Sequence, residues 1–334
     1  MNRWVLVGVL AVVLPASLLA AVMFGAVSLP AADVWSVLTG GPVEARVELI
    51  VEYIRLPRAL LTALVGALLA VCGAAMQGLF RNPLADPSLI GVTAGASAGA
   101  SLAIVFGGAL SGLVGLSLVS LGAFAGGTLA VVLVYRLATG AGGTSVATML
   151  LAGIAIGAIA SSLSSLLEFY ASNDMLRRIS LWRMGGLDGA NWARVAVVSL
   201  VGLVVLGILP TQARALNALL LGESEARHLG VAVNTVKRRL ILVAAAGVGV
   251  SVAVAGAIAF VGLVVPHIVR LLIGPDHRWL LPASALAGAI LLLWADTLAR
   301  VVVAPTELPV GLLTALLGAP FFISLLRHRR EYAL

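Results

Sequence analysis

The chain has 334 residues, a net charge of +7 and only 10% charged residues, against roughly 25% in soluble domains, and its mean hydropathy is +1.12. That composition excludes an ordinary soluble domain, and the absence of a basic stripe interleaved with aromatics excludes a nucleic-acid binder. The lone Cys72 excludes an intramolecular disulfide and a cysteine metal cluster.

Nearly all of the apolar sequence falls in runs of about 18 to 25 residues, the length that crosses ~30 Å of hydrocarbon. The expected class is therefore all-α, a polytopic membrane protein with residues 1–334 in one domain. Residues 4–27 follow Arg3 and exceed the apolar core of a secretory signal, about 7–15 residues, so they read as a retained first span starting inside. Residues 28–53, with Asp33, Glu44, Glu48 and Glu52, read as an outer connection. The second span is 56–80, and Pro83 and Pro87 then break and restart the helix. The third span, 89–110, carries Gly91, Gly95 and Gly99, whose spacing of four places them on one face for close helix approach. Spans at 113–135 and 146–167 flank an inner Gly-rich turn that runs to Thr144. Residues 168–191 read as outer, and 192–209 is the sixth span.

Residues 211–239 are the longest polar interruption. They hold Arg214, Glu223, Glu225, Arg227, His228, Arg238, Arg239 and the only lysine, Lys237. Such a segment is expected in water, on the cytoplasmic side by its basic end. Two short helices are expected, at 215–221 and 223–229, with Gly222 as the turn between them. Gly230 suits a helix C-terminus because it accepts positive φ. Two readings stand here: a solvated loop between membrane helices, or a surface that docks a cytoplasmic motor. The seventh span is 240–258. An eighth, broken span runs through Pro266 and His267, the ninth is 280–298 and the tenth 309–326. Arg327, His328, Arg329 and Arg330 follow on the inside. This arrangement puts thirteen of the 21 lysines and arginines inside, the sign required by the positive-inside rule, with both termini cytoplasmic.

No catalytic constellation is present. Val236 precedes Lys237 where a phosphate-binding loop would need glycine, so the chain is not expected to hydrolyse ATP. Ion-driven transporters bury several ionisable groups at mid-membrane; here the candidates are Asp296 and His267, both near segment ends. Asp296 and Arg300 are spaced i, i+4 and suit a local ion pair. His267 follows Pro266, where it either satisfies backbone groups freed by the proline or binds a ligand. This sparse buried charge points to an external energy source. Arg55 and Arg58 open the second span on the outer face, as an interfacial anchor or as a docking point for carboxylates, and Arg300 reaches the same face.

These motifs together resemble the permease subunits of binding-protein-dependent ABC importers for vitamin B12, haem and iron–siderophore complexes. The resemblance runs from about Arg55 to Leu326. It is carried by RLPR from Arg55, MQGLFRNPLADP from Met76, LWRMGGLDGANW from Leu181, LLGESEARHLGV from Leu220, GAIAFVGLVVPHIVR from Gly256, DHRWLLP from Asp276 and ADTLARVVVAPTELPVGLLTALLGAPFF from Ala295. It implies ten membrane helices per subunit in a bacterial inner membrane, and a second copy of the chain forming a homodimer. It also implies two cytoplasmic ATPase subunits that use the ATP, one periplasmic substrate-binding protein, and no permanently bound cofactor or metal.

In such permeases the arginines matching Arg55, Arg58 and Arg300 face glutamates of the binding protein. The resemblance implies that the residues around Leu220, Gly222, Glu223, Ala226, Arg227, His228 and Gly230 form two coupling helices that enter a groove on the ATPase. The path is expected along the fifth and tenth helices and the helix before Arg81. Ser161, Ser162, Ser164 and Ser165 would line it, or serve helix packing instead. Haem is the expected substrate, with cobalamin or a ferric siderophore as alternatives. An ion-driven secondary transporter is the alternative from another class.

Overall fold

The structure, a computed structural model, describes residues 2–331 apart from 26, 28, 108–111 and 141–142; the side chains of 112–114 and 324–331 are also outside the described set. The end of the expected third span and the basic side chains of Arg327, His328, Arg329 and Arg330 therefore lie outside the described residues.

The chain is helical almost throughout. In order come α1 (Arg3–Met23), α2 (Ala31–Thr39), α3 (Ala45–Leu49), a π-helical stretch (Ile50–Arg55), α4 (Leu56–Leu79), a 3-10 turn (Pro87–Ile90), α5 (Val92–Phe106) and α6 (Gly112–Ala138). A two-stranded hairpin, β1 (Thr139–Gly140) and β2 (Gly143–Thr144), leads to α7 (Val146–Tyr170), α8 (Asn173–Met184) and α9 (Trp192–Thr211). Two short helices, α10 (Ala213–Leu219) and α11 (Glu223–His228), precede α12 (Val233–Ala255), α13 (Val261–Ile273), α14 (His277–Val301) and α15 (Val310–Glu331). Among the described residues, seven helices are long and apolar enough to cross a membrane. Three shorter apolar helices, Val92–Phe106, Val261–Ile273 and Val310–Ile323, stand where the third, eighth and tenth spans are expected.

The span boundaries differ from expectation where charge is carried on a helix. The stretch before Arg55 is not a loop: α3, the π-helical stretch and α4 run continuously from Ala45 to Leu79, 35 residues. The seventh span begins at Val233, so Lys237, Arg238 and Arg239 lie on α12 and not in a solvated connection. Beyond α12 the chain leaves helical geometry. Gly256 and Phe260 both take positive φ, at 67°, before α13 starts. The proline-rich break after α4 is as expected: Arg81 turns with φ 49°, and Asp86 caps the 3-10 turn by accepting from the Ser88 N–H at 2.8 Å.

α4 is the buried centre, packed by α14, α12, α13 and α9, while α1, α7 and α9 turn most of their apolar side chains outward, as lipid-facing helices do. α5 and α6 cross at glycines. A Cβ on Gly95 or Gly99 would run into the backbone of Gly126 or Gly122, so this pair of helices closes to backbone contact. Gly91 is the residue before α5, at φ 80°; a Cβ there would meet Val134 and Ala130 of α6 in ordinary contact, at 3.8 and 3.9 Å.

Two ends of the bundle follow. One carries α10, α11, the hairpin and the start of α1, held by Arg3 against Asp276 at 3.3 Å. The other carries α8, the start of α4 and the end of α14.

Candidate functional site

The end built by α10 and α11 is set by two glycines. Gly222 has φ 118° and Gly230 φ 82°, conformations that L side chains rarely adopt, and they bracket α11 so that it forms a separate short helix. α10 buries Ala213, Leu216 and Leu219, and α11 buries Ala226 completely. The opposite faces are open. Leu221 is 66% and Leu229 64% exposed, with Leu220, Ser224, Glu225, Arg227 and His228 also exposed. Large apolar side chains projecting outside the membrane spans suit a protein partner. Of the expected coupling residues, Leu220, Arg227 and His228 are available to a partner and Gly222 and Gly230 shape the turns. Ala226 faces inward and Glu223 is half-buried. Leu221 and Leu229 were not singled out in the sequence, although each is a leucine closing a short amphipathic helix.

Polar contacts root both helices in the bundle. The Asn217 side chain of α10 donates from Nδ2 to Asp276 Oδ1 at 2.6 Å, and its Oδ1 accepts from the His277 backbone N–H at 2.9 Å. This fixes α10 to the first turn of α14. Burial pushes the Asp276 carboxyl up, but hydrogen bonds from Arg278 and Asn217 outweigh it and hold the group at about 2, below its ordinary 3.8. Glu223, which opens α11, meets Lys237 Nζ at 2.5 Å and Arg227 at 3.6 Å. Lys237 also donates to the Thr144 carbonyl at 2.8 Å. Arg81, expected on the path, is exposed and lies beside the coupling turn: its Nη1 is 3.7 Å from where a Cβ on Gly222 would sit.

At the opposite end the structure brings Arg55, Arg58 and Arg300 together, but as buried groups, 4%, 7% and 4% exposed. Arg58 grips Asp296 through Nε and Nη2, the latter at 2.8 Å, and reaches Glu307 from Nη1 at 2.6 Å. Arg300 pairs with the same Asp296 at 3.1 Å, one turn apart as the spacing predicts. It also donates to the carbonyls of Ala21 and Phe24, both at 3.0 Å. Arg55 donates to the carbonyls of Val22, Met23 and Val27. An open arginine surface is thus not what this conformation presents. The guanidinium groups tie the start of α4 to the end of α14 and cap the C-terminus of α1, where backbone carbonyls favour a cation. Three guanidinium groups thus share this end with two carboxylates, and Arg58 and Arg300 make the ion pairs.

The serines of α7 divide. Ser161, Ser162 and Ser165 are exposed, whereas Ser164 is buried and donates to the Ala160 carbonyl at 3.1 Å, the packing role. His267 is buried on α13.

Residues 12–328 match the family described as the FecCD transport family. The chain is 48% identical over 280 residues to the hemin transport system permease protein HmuU of Yersinia pestis, covering 83% of each. It is 47% identical over 287 residues to the cobalamin import system permease protein BtuC of Halobacterium salinarum, covering 86% of this chain and 76% of the relative. A solved structure described as an inward-facing conformation of a metal-chelate type ABC transporter superposes with a TM-score of 0.86 at 32% identity, over 98% of this chain and all of that one. With seven membrane-length helices among the described residues and these relatives, the chain is a multi-pass membrane protein and belongs to the FecCD transport family of ABC importer permeases.

Proposed function

We propose that the chain is the translocating subunit of a haem importer, works as a homodimer, and moves its substrate on ATP hydrolysed by two separate cytoplasmic subunits. The observation that carries this reading is the α10–α11 surface, on which Leu221 and Leu229 project from two helices rooted by polar bonds on α14 and α12. That surface has both the apolar grip a partner needs and a rigid attachment through which to pass on a push. In this reading the α10–α11 end and both termini face the cytoplasm. A periplasmic binding protein docks at the opposite end. Its glutamates compete there with Asp296 and Glu307 for Arg58 and Arg300, and the surplus guanidinium favours that exchange. Ser161, Ser162 and Ser165 give the path a polar, shallow surface, since a transit route must avoid deep binding minima. Arg81, beside Gly222, stands at its cytoplasmic exit. The similarity to a hemin permease supports haem; the similarity to a cobalamin permease supports cobalamin as the second reading.

The motor interface is tested by co-purification. Leu221→Asp, which changes a side chain that holds nothing in the core, is expected to release the ATPase from the purified permease. A Leu221→Asp complex that keeps its full ATPase complement contradicts the assignment.

A further inference from the structure

Lys237 joins three segments that are distant in sequence. It is the only lysine in the chain, and it is buried on α12 while Arg238 and Arg239 beside it are exposed. On one side its ammonium meets Glu223, the first residue of α11, at 2.5 Å. On the other it donates to the backbone carbonyl of Thr144 at 2.8 Å. Thr144 is the last residue of the hairpin, two residues before α7. The base of that hairpin is hydrogen-bonded: Thr139 and Thr144 pair across it, with their hydroxyls 3.0 Å apart, the Ser145 N–H bonds the Ala138 carbonyl at 2.9 Å, and Ser145 caps α7. The main packing partners of α11 are α10 and α12, and those of α7 are α5 and α6. The ammonium is therefore a polar link between two elements that otherwise belong to different layers.

The chemistry of the link is that of a hinge pin. A lysine carries a compact ammonium with three rotatable donors on a flexible stem, so it keeps both acceptors through small rotations. A buried charge is tolerated only while it is paired. Drawing α11 away from the hairpin would leave the ammonium without one of its two partners, so the two elements move together.

We propose that Lys237 is a positioning residue for transport: it yokes α11 to the root of α7, so that a displacement imposed on α11 reaches the helix that presents Ser161, Ser162 and Ser165. The proposal rests on the importer reading and names the side chain that carries the motor stroke toward the path.

The test uses the whole complex in liposomes, with ATP hydrolysis and uptake of haem (or of cobalamin, if the wild type takes that) measured in the same vesicles. Lys237→Met is expected to hydrolyse ATP within about twofold of wild type, while uptake per ATP falls at least about tenfold. Lys237→Arg, which restores a cation and its donors, is expected to recover uptake per ATP to within about threefold of wild type. A merely structural lysine would lower the amount of working complex and so both rates together, leaving the ratio unchanged; that ratio in Lys237→Met overturns the proposal.

If Lys237→Met fails to assemble, spin labels in the otherwise wild-type complex decide, placed at the exposed Ser224 of α11 and Thr148 of α7. Their separation is expected to stay constant between nucleotide-free and ATP-bound states, while the distance from Ser224 to a label at Ala193 on α9 changes. A change in the 224–148 separation as large as the change to α9 overturns the proposal. A wild-type complex without ATP-driven uptake overturns the importer reading, and the yoke with it. A coupled wild type alongside a normally coupled Lys237→Met overturns the yoke alone.

Discussion

Arg58 satisfies two carboxylates of very different exposure, and the difference sets what each bond contributes. Asp296 is 2% exposed and Glu307 36% by side chain. Removing one partner of a buried pair costs about 3–5 kcal/mol, while an ion pair open to water contributes about 0–1 kcal/mol. Arg58→Ala is therefore expected to lose about 3–5 kcal/mol in thermal unfolding followed in detergent, and Glu307→Gln less than about 1 kcal/mol. Equal losses would contradict the assignment of the strong bond to Asp296. The proposed docking role is tested at the same residue: Arg58→Glu should also remove stimulation by the binding protein while the ATPase stays attached. At the other end, Asp276 titrates below its ordinary range. Its contribution is fully present above pH 3.8 and is lost as pH falls toward about 2. The stability difference between wild type and Asp276→Asn should be flat at neutral pH and shrink only in that acid window; a difference that changes near neutrality would contradict the Asn217–Asp276 root. The pairing of Asp296 with Arg300 was readable one turn apart, but Arg58 joins it from 238 residues away. For that reason the sequence places these arginines at one face yet says nothing of their burial.

Among the elements, the ones written in backbone chemistry were legible. Asn82 to Pro87 cannot continue a helix, and a break is found there. Gly222 and Gly230 mark the two ends of α11. The elements missed are short or charged. α2, α3 and α8 carry polar residues and look like connections, and α12 begins seven residues before its apolar run because a buried lysine reads, in sequence, like a solvated one. The glycine face of α5 was half legible. Gly95 and Gly99 pack as their spacing predicts, but their partners Gly122 and Gly126 were identified only through the fold, and Gly91 serves a turn. Gly99→Leu places a side chain where the backbone of Gly122 lies. Overpacking of this kind costs about 1–3 kcal/mol, and the same change at Gly8, which meets nothing within 4 Å, should cost almost nothing. Equal thermal stability of the two variants would show that α5 and α6 are not in backbone contact.

For the molecule as a whole, the proposed function depends on joining two ends. One presents exposed leucines on short helices outside the spans. The other gathers Arg58 and Arg300 around Asp296, with Arg55 on the end of α1. α14 runs between them, rooted by Asn217 at its start and holding Asp296 and Arg300 at its finish, and the buried α4 lies along it. The proposed importer function gives both ends a role, whereas an ion-driven carrier would leave the projecting α10–α11 surface without one. Substrate identity was the least legible property: the chain is 48% identical to a hemin permease and 47% identical to a cobalamin permease, so overall similarity does not separate the two.

The most direct measurement is uptake into liposomes that contain this chain with its ATPase and binding protein, comparing haem, cobalamin and a ferric siderophore. Uptake of haem that requires both ATP and the binding protein is the predicted result. Uptake that follows an ion gradient with no ATPase bound would contradict it.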